Sequence, residues 1–70
     1  MYDKLSAIVG NNIKKYRKNL GISQEKLTER AGLHRTYIGG IERGERNITL
    51  DSLQIIALAL NVAPVELIVA

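Results

Sequence analysis

The chain has 70 residues, no cysteine and a hydrophobic content of 46%. That length fits one small domain with a single core, the composition excludes a disordered chain, and the lack of cysteine excludes disulfides and thiolate metal sites. The net charge of +3 is unevenly spread: residues 1–20 carry five basic and one acidic residue, residues 21–46 five and four, and residues 47–70 none and two. A basic end of this kind suits a polyanion, and the apolar, mildly acidic end suits a different role.

No apolar run approaches the roughly 18 residues of a membrane span. The start, "MYDKLSAIVG", lacks the basic segment, apolar stretch and small-residue cleavage site of a signal peptide, so the chain reads as mature and cytoplasmic, with no membrane partner.

Leu5, Ile8, Val9, Ile13, Tyr16 and Leu20 recur at helical spacing and predict a first helix over about 3–19, ended by Gly21. Lys14, Lys15 and Lys18 fall on its other faces and read as solvated charge. Ser23 has the chemistry of an N-cap, and Glu25 suits the positive end of a helix dipole. A second helix is expected over about 24–31, with Leu27 and Ala31 inward and Gly32 as its stop. A third, about 35–43, follows after a short turn and is closed by Gly44. Thr49 is a second N-cap, opening a helix over about 49–60, and Pro64 begins a last one over about 64–69. Ala63 offers no capping hydroxyl, so that last helix is expected to fray. No strand-like alternation or repeat is present. The fold class is therefore all-α: a compact bundle of five short helices forming a single domain over 1–70.

Two helices joined by so few residues must cross steeply. Gly32 supplies the left-handed turn conformation, and Ile38 and Ile41 share the face that pins the third helix inward. Arg35, Thr36, Gly39 and Gly40 are left on the opposite face. This is a helix-turn-helix pattern over about 24–43. The stretch "SQEKLTERAGLHRTYIGGIERG" resembles the Cro/C1-type family of phage repressors and small bacterial regulators, in Gln24, Leu27, Gly32, Ile38, Ile41 and the closing "IERG". Within that family "LHRTYIGGIERGERNITL" is most similar to controller proteins of restriction–modification systems.

The resemblance implies a lambda-repressor-like domain whose third helix enters the major groove of double-stranded DNA. Arg35, Thr36, Tyr37 and Arg46 would then face bases, and Gln24, Arg43, Asn47 and His34 the backbone. An arginine fork matches guanine O6 and N7, and Thr36 can bond a base edge or touch a thymine methyl. Each role has a plainer rival. Thr36 can cap its own helix, Tyr37 can fill the edge of the core, Asn47 can serve turn chemistry alone, and Gln24 can be an ordinary helix start. Arg35 and Arg43 can be simple surface charge. His34, the lone histidine, has no ligand cluster, and no metal or cofactor is expected. The family pattern pairs Arg17 with Glu42 as a structural salt bridge. Thr28 stands where the pattern prefers alanine, which implies looser packing there. Gly39 and Gly40 shorten the side-chain reading face to its first turn and leave backbone open to phosphate.

"TLDSLQIIALAL" is apolar nearly all round. Leu53, Ile56, Ala57 and Leu60 make an inward face, and a small monomer cannot also cover the rest. Residues 50–70 therefore read as a dimerisation region, with Ile55, Leu58, Val62, Val65 and Ile68 at the interface of a homodimer. A two-fold dimer sets two reading helices about 34 Å apart and predicts an inverted-repeat operator. The expected function is a sequence-specific transcription regulator, of the controller kind by resemblance, with RNA polymerase as a further partner. A phage-type repressor, or an antitoxin-like regulator whose apolar end binds a protein, would share these features. Enzymatic chemistry is disfavoured, because five short helices leave little room for a pocket.

Overall fold

The structure, a computed structural model, describes the backbone of residues 2–70 and the side chains of residues 5–70. Among the described residues the elements in order are α1 (Tyr2–Asn19), α2 (Gln24–Ala31), α3 (Arg35–Glu42), α4 (Leu50–Ala59) and a closing 3-10 helix (Pro64–Leu67), with no strand. No described helix is long and apolar enough to cross a membrane.

The all-α expectation holds, but the fifth α-helix is replaced by a single 3-10 turn. Pro64 does open it, yet Ile68 leaves helical geometry at φ −113°. The chain then diverges because the carbonyls of Leu67 and Val69 accept hydrogen bonds from the Asn12 side chain of α1. Ala63 makes no side-chain cap, as expected, but its backbone N–H donates to Glu66 Oε2 at 3.0 Å, the half of a capping box that needs no hydroxyl at position 63.

The other ends follow local chemistry. Ser23 Oγ accepts from the Lys26 N–H, and Thr49 Oγ1 from the Ser52 N–H, each at 3.0 Å. These bonds satisfy amides that the first turn leaves free. Gly32 takes φ +67°, and its N–H donates to the Thr28 carbonyl at 2.8 Å, which stops α2 in the left-handed conformation glycine adopts without strain.

The core is built from every helix. Val9 and Ile13 of α1, Leu27 of α2, Ile38 and Ile41 of α3, and Leu53, Ile56, Ala57 and Leu60 of α4 meet Leu67 of the closing turn. Leu5 and Leu20, counted above in the apolar stripe of α1, lie beyond the covered stretch and are 54% and 42% exposed. Where α1 crosses α3 the backbones nearly touch: a Cβ on Gly10 would collide with the Ile41 and Glu42 carbonyl oxygens. Glycine at that position sets how deeply α3 seats against α1.

Candidate nucleic-acid interface

The inner side of α3 is anchored by Ile38 and Ile41, both essentially inaccessible, and by the buried carboxylate of Glu42. A buried charge needs partners, and Glu42 has three hydrogen bonds. Arg17 grips it with two, Nε to Oε2 at 2.8 Å and Nη2 to Oε1 at 3.1 Å. Gln24 Nε2 adds a third to Oε1 at 3.1 Å. Arg17 Nη1 also donates to the Ile22 carbonyl at 3.0 Å. One carboxylate thus ties together the end of α1, the turn after it, the start of α2 and the end of α3. That junction fixes the angle at which α3 is presented.

The outward side carries Arg35, Thr36 and Arg43, all exposed. With Gln24 and Gly39 they line a polar hollow of about 430 Å³. The paired glycines are not bare backbone, which corrects the expectation that they leave an open approach to phosphate. Arg43 Nη1 lies 3.2 Å from where a Gly39 Cβ would stand, and Gln24 Oε1 3.6 Å from it. Arg46 Cγ lies 2.6 Å from the corresponding point on Gly40. Helical side chains lean toward the N-terminus, so Arg43 reaches back one turn over Gly39. Arg46 reaches back from the loop over Gly40. The missing side chains make room for the Arg43 guanidinium over Gly39 and for the aliphatic stem of Arg46 over Gly40.

The remaining candidates are placed as follows. Tyr37 is half-buried against the core, and its hydroxyl accepts from the Thr49 N–H at 3.4 Å. Arg43 Nε is 3.0 Å from Glu45 Oε1, an exposed pair of small energetic weight. Asn47 is exposed, with its Oδ1 at 3.5 Å from the Ser6 hydroxyl that donates to it. His34 occupies the N-cap of α3, is exposed, and makes no side-chain capping bond. Thr28, where looser packing was expected, turns its hydroxyl to the Gln24 carbonyl at 2.9 Å and so satisfies it within α2.

At the other end Ile55, Leu58, Val65 and Ile68 are 40%, 78%, 56% and 44% exposed. Val62 differs, being half-buried against the chain's own core. Val69, within the apolar region expected over 50–70, is 55% exposed, and sequence reasoning did not single out Leu50, which is 83% exposed. Leu50 and Ile68 line a groove of about 250 Å³ with Leu5, Val9 and Leu53. It also missed Gly10, whose only signal was a glycine inside an amphipathic helix, and Asn12, which carried none.

A short α2, a glycine turn and an α3 fixed inward at Ile38, Ile41 and Glu42 with a basic outer face define a helix-turn-helix regulator. The HTH_3 helix-turn-helix family model matches residues 13–67, and the chain belongs to that family of DNA-binding regulators, which are not enzymes. It is 48% identical over 64 residues to control protein C.SmaI of Serratia marcescens, covering 91% of this chain and 76% of that protein. Among solved structures it is similar to the restriction-modification controller protein C.AhdI from Aeromonas hydrophila, with a TM-score of 0.86, 40% identity, and 89% and 94% of the two chains covered. It is also similar to the controller protein C.Esp1396I, solved as a tetramer with its natural 35 base-pair operator, with a TM-score of 0.83, 44% identity, and 90% and 83% covered.

Proposed function

We propose that this chain is a homodimeric, sequence-specific transcription regulator that binds inverted-repeat operators and controls a restriction–modification operon. The observation that carries the reading is the division of α3 into two sides. Its inner side is locked by Ile38, Ile41 and the Arg17–Glu42 pair, and its outer side holds Arg35, Thr36 and Arg43 around an open hollow. The names of the relatives, control and controller proteins, support the operon assignment.

In this reading Arg35 reads a guanine edge, Thr36 and Tyr37 complete the first-turn contacts, and Arg46 reaches a base from across Gly40. Gln24, Arg43, Asn47 and His34 hold the backbone. Gln24 does so with its main-chain amide at the α2 start and the Nε2 hydrogen that Glu42 leaves free. Residues 50–70 form the dimerisation region, with Leu50 and Val69 extending the apolar set. The dimer works in the cytoplasm, and RNA polymerase is the partner it meets at a promoter.

Selection of bound duplexes from a random DNA library tests the proposal. Recovery of an inverted repeat with half-site centres about one helical turn apart is the expected result. Folded protein that enriches no motif would sink it.

A further inference from the structure

Residues 64–70 lie beyond the last α-helix, yet they are held in place. Leu67 packs into the core, and one buried side chain supplies the main polar hold. Asn12 sits in the middle of α1 between Val9 and Ile13, both core residues, and is itself only 9% exposed. An amide buried there is unfavourable unless its hydrogens are used. Both are: Nδ2 donates to the Leu67 carbonyl at 2.9 Å and to the Val69 carbonyl at 2.8 Å. Two carbonyls two residues apart converge on one NH₂ group, which turns the backbone of this stretch inward. Leu67 is thereby buried completely, while Ile68 and Val69 stay 44% and 55% exposed. A looser tie assists at the start of the segment, where the Tyr16 hydroxyl lies 3.4 Å from Glu66 Oε1.

We infer that Asn12 is a positioning residue for self-association: its amide clamp fixes Val65, Ile68 and Val69 as a preformed apolar edge that a second copy meets without first having to order the segment after α4. The inference rests on the homodimer proposed above. Its physical basis is entropic. A segment outside the α-helices keeps its conformational freedom unless it is tied down, and ordering it during association weakens the complex. If only a fraction of monomers hold the competent edge, apparent affinity falls by that fraction. A leucine at position 12 would serve the core as well as an amide does, but it could not hold two carbonyls.

Sedimentation equilibrium of the wild-type chain and of Asn12→Leu tests this, with far-UV circular dichroism as the check on fold. The expected result is unchanged helix content and a dimer dissociation constant raised at least tenfold. An unchanged constant in folded Asn12→Leu overturns the inference. A second measurement does not depend on that variant folding. Leu58→Asp, at a site 78% exposed, provides a monomer for NMR relaxation. Order parameters near 0.85 for residues 66–69 are expected there, and values below about 0.6 would show no preformed edge and overturn the clamp. A wild-type chain that stays monomeric at all concentrations would instead overturn the dimer itself and with it the clamp's role in association, even with residues 66–69 ordered.

Discussion

Arg35 and Arg43 are both exposed arginines of the same region, but they stand in different situations. Arg35 opens the first turn of α3, whereas Arg43 already spends Nε on Glu45. Arg35→Ala is expected to lose about 1–3 kcal/mol of operator binding and to relax base preference at one position per half-site. Library selection reads this directly, and an unaltered motif would refute the docking. Arg43→Ala is expected to weaken all sequences alike and to reduce the salt slope of binding by about 1, measured by titration across salt concentrations. Arg17 and Glu42 belong to another class. With the Glu42 side chain 1% exposed and three hydrogen bonds on it, Arg17→Ala removes two of the three and the only cation among these partners, leaving a buried charge with one neutral donor, Gln24. A loss of roughly 3–5 kcal/mol of stability is expected, read from urea unfolding. Operator binding would then fail through unfolding rather than through a lost contact.

Among the elements, α3 is unusual in carrying two adjacent glycines, each of which weakens a helix by about 1 kcal/mol relative to alanine. Their surroundings predict different outcomes. Gly39→Ala brings a methyl to 3.2 Å from the tip of a flexible arginine, which can move away. This variant is expected to gain up to about 1 kcal/mol of stability. Gly40→Ala places its methyl 2.6 Å from Arg46 Cγ, close to that side chain's root, and so displaces Arg46 from α3. Its stability gain is smaller and its operator affinity falls. Gly10→Ala meets rigid main-chain oxygens of Ile41 and Glu42 and must push α3 off α1, so a clear drop in Tm is expected. Thermal unfolding of the three variants gives the order Gly39→Ala, Gly40→Ala, Gly10→Ala; a different order would mean that α3 seats differently.

For the whole molecule, the exposed apolar groups of α4 and the closing segment set the assembly. Leu58 is 78% exposed, so Leu58→Asp leaves the core untouched. It is expected to yield a folded monomer by sedimentation, with operator affinity lost because the two half-sites are no longer bound together. A dimer that survives this change would place the interface elsewhere.

The helices themselves were legible because their signals are local. Ser23, Thr49, Gly32 and Pro64 act within one turn of themselves, and the 3.6-residue apolar rhythm of α1 to α3 marks the inward faces, while α4 is apolar nearly all round. The helix-turn-helix, and the separation of Ile38 and Ile41 from Arg35 and Thr36, follow from that rhythm and the short turn. What the chain's linear order hides is contact between distant residues. The fifth helix stops early because Asn12, 55 residues from Leu67, captures its last carbonyls. Gly39 and Gly40 are covered because the long side chains of Arg43 and Arg46 fold back over them. Val62 is half-buried although its composition matches its exposed neighbours. Local propensity and periodicity decided which segments are helices. Only the packing of those helices decided which polar atoms meet, how deep α3 seats against Gly10, and which apolar side chains are left facing outward, because those depend on distances that sequence spacing does not contain.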